Sequence, residues 1–141
     1  MRSLFTLLVL VCAAPSCADV PLSAYDPVSY AQLTGLKAEA TLLVEGFDHK
    51  PVAENEGRIE ATTLHFRQVY EYEKGKGPTN AETIEGVEKV TGLFTDVVQE
   101  YRDGGPGALG PRYFREAAIV LGQAFDAVIR IESLKNPARR E

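Results

Sequence analysis

The chain has no tryptophan, one methionine at position 1, two histidines, and two cysteines that both fall before residue 18. Each scarcity removes a class of chemistry. With Cys12 and Cys17 near the start and none later, no disulfide can staple the body of the fold, which must be held by burial. Covalent haem attachment needs Cys-x-x-Cys-His, and axial ligation by methionine has no methionine to use. His49 and His65 are preceded three residues earlier by Gly46 and Thr62, so the Glu-x-x-His pairs of di-iron bundles are missing. Glu45 with His49, and Glu60, His65 and Glu71, are the remaining ligand types; they read as turn and surface residues, and no metal or cofactor is expected. Excess positive charge is lacking too. Fifteen Lys and Arg face twenty Asp and Glu, for a net charge of −5 and a pI near 5.1, and an acidic chain repels phosphate backbones. Nucleic acid is therefore not an expected partner, and the only basic cluster is Arg139-Arg140.

Nucleophilic machinery is equally sparse. No Gly-x-Ser-x-Gly turn occurs, and Ser23, Ser29 and Ser133 fall near helix ends or in a lead-in. The glycine-rich stretch Gly104 to Gly110 lacks the Gly-Lys-Ser/Thr ending of a phosphate loop. Acidic residues such as Glu54, Glu56, Glu60, Glu82, Glu85 and Glu88 read as solvated helix faces. The i,i+4 pairs Arg67 with Glu71, Glu85 with Lys89 and Asp126 with Arg130 read the same way. No residue is nominated as catalytic, and the expectation is that the protein is not an enzyme. An enzyme working with carboxylates would need two acids buried together with strongly shifted pKa values.

What is present begins with a targeting pattern. Arg2 supplies positive charge and Leu4 to Val11 an apolar run about half as long as a membrane span needs, which favours a signal peptide over an anchor helix. Two processing readings compete. Ser16-Cys17-Ala18 offers small residues for cleavage before Asp19, whereas Ala14-Pro15-Ser16-Cys17 has the layout of a lipobox with Cys17 as the lipidated first residue. In the second reading an N-terminal acyl chain anchors the protein to a membrane. Loss of the first eighteen residues removes one charge, Arg2, and leaves roughly 120 residues, enough for one core.

The remainder reads as four helices. Asp26 caps helix A with Pro27 in its first position, and Leu33, Leu36, Ala40, Leu43 and Phe47 alternate in threes and fours along one stripe. Helix B carries Val52, Ile59, Phe66, Val69 and Tyr70, and stops at Lys74, Gly75, Gly77 and Pro78. Helix C opens on a capping box of Thr79 and Glu82, with Ile84, Val87, Thr91, Phe94, Val98 and Tyr101 as its seam. After the glycine-rich break, helix D runs from about Pro111 to Lys135. Its apolar face (Phe114, Ala117, Ala118, Leu121, Ala124, Phe125, Val128, Ile131) is extended by Ile119, Val120 and Ile129. Such breadth implies two neighbours or a covering partner. No internal repeat is apparent. Short turns between long helices predict an all-α, up-down-up-down four-helix bundle. Residues 1–18 form the export segment, 19–25 an extended lead-in, 26–136 the bundle and 137–141 a tail.

One cluster stands out: Tyr70-Glu71-Tyr72-Glu73-Lys74-Gly75. Tyr70, Tyr72 and Lys74 form a candidate interaction patch, because tyrosine offers large contact area at low entropic cost. The alternative is that Tyr70 packs and Tyr72 covers the loop. The lipobox-like Cys17, the short lead-in, Lys37-Ala38-Glu39-Ala40 and this Tyr-Glu-Tyr-Glu-Lys-Gly stretch together resemble a group of uncharacterised bacterial envelope lipoproteins with small helical bundles. That group implies a compartment and a fold, and no activity. Small helical pilot lipoproteins of secretion systems are similar in size and layout, but use a disulfide this domain lacks. The expected function is an exported, periplasmic or lipid-anchored module with an interaction or structural role in the cell envelope, receiving a partner helix beside helix D. Simple secretion is the alternative localisation. The alternative function is a carrier or sensor holding a small apolar ligand in a cavity lined by residues such as Phe66, Phe94, Tyr101 and Phe125.

Overall fold

The computed structural model describes residues 23–110 and 112–139. The export segment with Cys12 and Cys17, most of the lead-in, Pro111 and the last two residues lie outside them. Four helices, α1 (Pro27–Glu45), α2 (Val52–Gly75), α3 (Ala81–Gly104) and α4 (Tyr113–Leu134), are linked by short 3-10 turns at Gly46–Asp48 and Pro78–Asn80 and by a glycine-rich loop. Each packs on its neighbours in the chain and α4 closes against α1, so the order around the bundle is α1, α2, α3, α4. No strand occurs among the described residues. The predicted all-α four-helix bundle is the observed fold.

Local chemistry explains most of the boundaries. Asp26 has extended backbone and its side chain accepts from the Val28 amide, with Pro27 leading the helix, which satisfies one orphan donor where proline itself has none. Gly105, Gly107 and Gly110 adopt positive φ of 71°, 80° and 98°, conformations in which a Cβ is strained, and so the α3–α4 connection needs glycine. The capping box of helix C does not form. Helix α3 begins one residue later, with Asn80 at the cap position and no side-chain capping bond, because the Asn80 side chain is drawn inward to Glu73. The seam of α3 is also corrected: Thr83 and Val90 are buried, while Ile84 and Thr91 are only half-buried. Helix α4 spans Tyr113–Leu134, and the expected start at Pro111 lies outside the described residues.

The core is continuous from end to end. Leu33, Leu36, Ala40, Leu43 and Phe47 of the first stripe are all buried, as are Phe66, Phe94, Phe114, Leu121 and Phe125. The space among Leu33, Leu36, Phe66, Val87, Val90, Phe125 and Val128 leaves no room for a water molecule. At one end Phe47 stacks on Tyr101 at 3.9 Å, with Phe114 edge-on to both. There Asn55 Nδ2 donates to the Tyr101 hydroxyl (2.9 Å), which donates to the Lys50 carbonyl (2.5 Å).

The buried positions of the two hairpins, α1–α2 and α3–α4, recur at constant sequence spacing. Ser29, Leu33, Leu36, Ala40, Val44 and Phe47 of α1 correspond in this spacing to Thr83, Val87, Val90, Phe94, Val98 and Tyr101 of α3, and every one of the twelve is buried. Asn55, Ile59, Thr62, Phe66, Val69 and Glu73 of α2 match Phe114, Ala118, Leu121, Phe125, Val128 and Glu132 of α4, again all buried. Both hairpins end on Glu-x-x-Lys-x-Pro, at Glu73 to Pro78 and Glu132 to Pro137, followed by a 3-10 turn. Equivalent side chains meet across the middle, Phe47 on Tyr101 and Phe66 on Phe125 at 5.7 Å.

Candidate functional site

The densest collection of reactive side-chain types lies at the end of the bundle opposite the aromatic stack. The four seams terminate there in Ser29, Glu73, Thr83 and Glu132, each with no solvent exposure. Glu73 accepts from Ser29 Oγ, from Asn80 Nδ2 (2.7 Å) and from Lys76 Nζ (3.1 Å). Glu132 accepts from the Asp26 amide (3.1 Å) and from Lys135 (2.7 Å). Lys135 spends its remaining protons on Asn80 Oδ1 (2.6 Å) and Thr83 Oγ1 (2.8 Å), which exhausts an ammonium's three donors. The lead-in joins the network, since Ser23 donates through its amide to the Thr79 carbonyl (3.0 Å) and through Oγ to Asn80 Oδ1 (2.9 Å). Asp26 accepts from Tyr72 (2.7 Å) and pairs with Lys76 (3.0 Å). Partial burial pushes the Asp26 carboxyl up, but those two hydrogen bonds, the Val28 amide and the Lys76 charge outweigh it and hold it at about 2. Lys76 is raised for the mirrored reason: burial lowers it, and the bonds to Asp26 and Glu73 with the charges of Glu73 and Glu132 more than compensate.

Three carboxylates and two ammonium groups at this end are thus bonded to one another, and each buried glutamate has its own lysine three residues on. Two acids buried in one network are what carboxylate chemistry would require, yet their oxygens are already occupied. A closed, satisfied network of this kind fixes the packing of four helix ends. Among the described residues no group of three or more His, Cys, Asp or Glu is placed to hold a metal ion.

Tyr70, Tyr72 and Lys74 do not share one surface. Tyr70 is half-buried against the core, donates to Glu88 of α3 (2.9 Å) and lies 5.5 Å from the Lys74 ammonium. It walls a groove of about 400 Å³ with Phe66, Arg67 and Thr91. Tyr72 turns to the polar end, bonded to Asp26 and 5.0 Å from Lys76. Bonding to Glu88 raises the Tyr70 phenol, and bonding to Asp26 raises that of Tyr72. Cys17, the candidate acyl site, lies outside the described residues. The expected surface ion pairs divide: Glu85–Lys89 forms at 2.6 Å, Asp126 reaches across to Lys37 of α1 at 2.5 Å instead of to Arg130, and Arg67 makes no ion pair with Glu71.

The α3–α4 face is different in kind. Two stretches of groove, of about 340 and 440 Å³, meet at Leu93. Val97, Ala117, Val120 and Leu121 line one stretch, and Val90, Ala124, Ala127, Val128 and Ile131 the other. Leu93 is 38% and Val120 53% exposed. The floor is thin because Gly86 lets the helices approach; a Cβ there would lie 2.7 Å from Val128 Cγ2. From Glu82 to Glu100 the groove follows α3 for about 27 Å.

Its counterpart on α1–α2 carries polar groups bonded to one another. Glu39, in the place of Leu93, accepts from Thr62 Oγ1 (2.7 Å) and from His65 Nδ1 (2.7 Å), and His65 stands where α4 has Ala124. Partial burial raises the Glu39 carboxyl, but these two bonds and the charges of His65 and Arg58 outweigh that and hold it below the usual carboxylate range. The helix-D stripe Val120, Ala124, Ile131 was legible as surplus apolar surface; the α3 half of the face, Leu93 and Val97, was missed because those residues flank the seam. Among the described residues no helix is long and apolar enough to cross a membrane. No protein-family model, curated protein or solved structure matches this chain.

Proposed function

We propose that the protein is an exported helical-bundle module, lipid-anchored through Cys17, that holds a partner protein of the cell envelope on its α3–α4 face. The observation that carries this reading is the asymmetry between two equivalent hairpins. One face carries the bonded polar groups Glu39, Thr62 and His65, while the other has an apolar groove with Leu93 and Val120 exposed. Contiguous exposed apolar surface rimmed by polar residues marks interaction sites, and a groove between helices suits a helical ligand. The packed interior favours this groove over the bundle core as the place for a ligand.

The test places a photoreactive side chain in the full chain at Val120 or at its counterpart Ala61, both exposed, and irradiates intact cells. A discrete protein adduct from position 120 and none from 61 is expected; equal adducts, or none from either, would overturn the assignment. Anchoring is tested separately. Cys17→Ser should move the protein from the membrane to the soluble fraction and remove the acyl mass from its N-terminus, and an unchanged soluble product would end that part of the proposal.

A further inference from the structure

The exchange between the two faces concerns the rim as well as the floor. Around the α3–α4 groove stand Glu82, Glu85, Asp96, Glu100 and Glu116, with Lys89 as the only cation among the lining residues. Their equivalents in the first hairpin are Val28, Ala31, Leu42, Gly46 and Gly57, none of them charged. The floor reverses the pattern, since Leu93, Ala117 and Ala124 replace Glu39, Arg58 and His65. One face has charge at its centre and neutral edges, the other an apolar centre and acidic edges. The second arrangement is that of a protein interface, with an apolar core inside a polar rim. Lys89 is occupied by Glu85 at 2.6 Å and Glu100 accepts from Tyr113, whereas Glu82, Asp96 and Glu116 form no ion pair among the described residues.

Building on the docking assignment above, we infer that the occupant of the groove is an amphipathic helix of about five turns, with small and medium apolar residues along one face and lysine or arginine on both flanks. Charge selects this occupant over its rivals. A second copy of the chain would bring acidic rim against acidic rim, and an anionic lipid surface would meet the same repulsion. A basic helix places ammonium or guanidinium groups beside Glu82, Asp96 and Glu116, which form no ion pair among the described residues.

The inference is tested with the full chain and three designed 18-residue helical peptides that share a Leu/Ala face and carry Lys, Gln or Glu on the flanks. Dissociation constants are measured by fluorescence anisotropy at low and high salt. The Lys-flanked peptide should bind at least tenfold more tightly than the Gln-flanked one at low salt, with the Glu-flanked peptide weakest. That gap should collapse at high salt and in Glu82→Gln/Asp96→Asn/Glu116→Gln, while Leu93→Ser/Val120→Ser should remove binding of all three. Equal affinity for the Lys and Gln peptides would sink the charge inference and leave the groove standing. Unchanged binding to the Leu93→Ser/Val120→Ser chain, or no binding by any peptide, would overturn both. Concentration-dependent self-association abolished by the same two serines would replace the basic helix with a second copy.

Discussion

The first hairpin and the second share a backbone plan and a buried seam but not an outer face. On the outer seam of α1–α2, Glu39 is bonded to Thr62 and His65; in α3–α4 the equivalent residues, Leu93, Leu121 and Ala124, are apolar, and Leu93 is exposed. What the two have in common, the buried Glu-x-x-Lys ends, is the part that looks most like an active site. The comparison teaches that ionisable groups which satisfy one another belong to the architecture, and that the place where the hairpins diverge is where to look for a function.

The sharpest way to break the shared architecture is to leave a charge unpaired. Lys135→Met strands Glu132 in a site with no solvent contact and should cost about 3–5 kcal/mol in denaturant unfolding. Its equivalent Lys76 has a side chain 18% exposed, against 2% for Lys135, so Lys76→Met should cost less, about 1–3 kcal/mol. Equal losses would mean that the two ends of the repeat are not distinguished by burial.

Asp26 and Asn80 are also equivalents, each preceding the first helix of its hairpin, and only the first titrates. Because folding holds Asp26 at about 2, its contribution is present above the ordinary carboxylate range and is lost as the pH falls toward 2. That contribution is on the order of 1–2 kcal/mol. Asp26→Asn should remove it at neutral pH and flatten the fall in stability between pH 4 and pH 2; an unaltered acid profile would show that the Tyr72 and Lys76 bonds do not stabilise the ionised form.

Converting one outer face toward the other has smaller effects. Glu39→Leu gives α1 the α3 residue type and releases His65 and the Thr62 hydroxyl, for an expected loss of about 1 kcal/mol. Leu93→Ser/Val120→Ser changes exposed positions and should stay within about 0.5 kcal/mol of the parent in thermal or chemical unfolding, while the proposal expects it to remove peptide binding. A large destabilisation there would make the groove part of the core.

Much of the fold was legible. The stripe from Leu33 to Phe47, the Asp26-Pro27 start and the glycine-rich break gave four helices and their order because helical period and capping are local. The repeat was hidden for a physical reason. Burial constrains size and polarity, so Ser29 pairs with Thr83 and Ala40 with Phe94 without identity, and the longer glycine-rich loop shifts α4 out of the register that would align α3 with α1. Glu73 and Glu132 were not singled out as buried, although each lies one heptad beyond a core phenylalanine, Phe66 or Phe125. Spacing placed them on the seam, and only the partners brought by other helices, Ser29, Asn80 and Lys135, make such burial tolerable. The α3–α4 groove combines residues from two helices, so the stripe on helix D alone revealed half of it.

The most direct measurement uses the Lys-flanked peptide carrying a nitroxide, with the isotopically labelled full chain observed by NMR. Paramagnetic broadening should fall on Leu93, Val97, Val120 and Ala124 and spare Glu39, Arg58 and His65. Equal broadening of both hairpins, or broadening confined to α1–α2, would contradict the claim that divergence of the second outer face created the binding site.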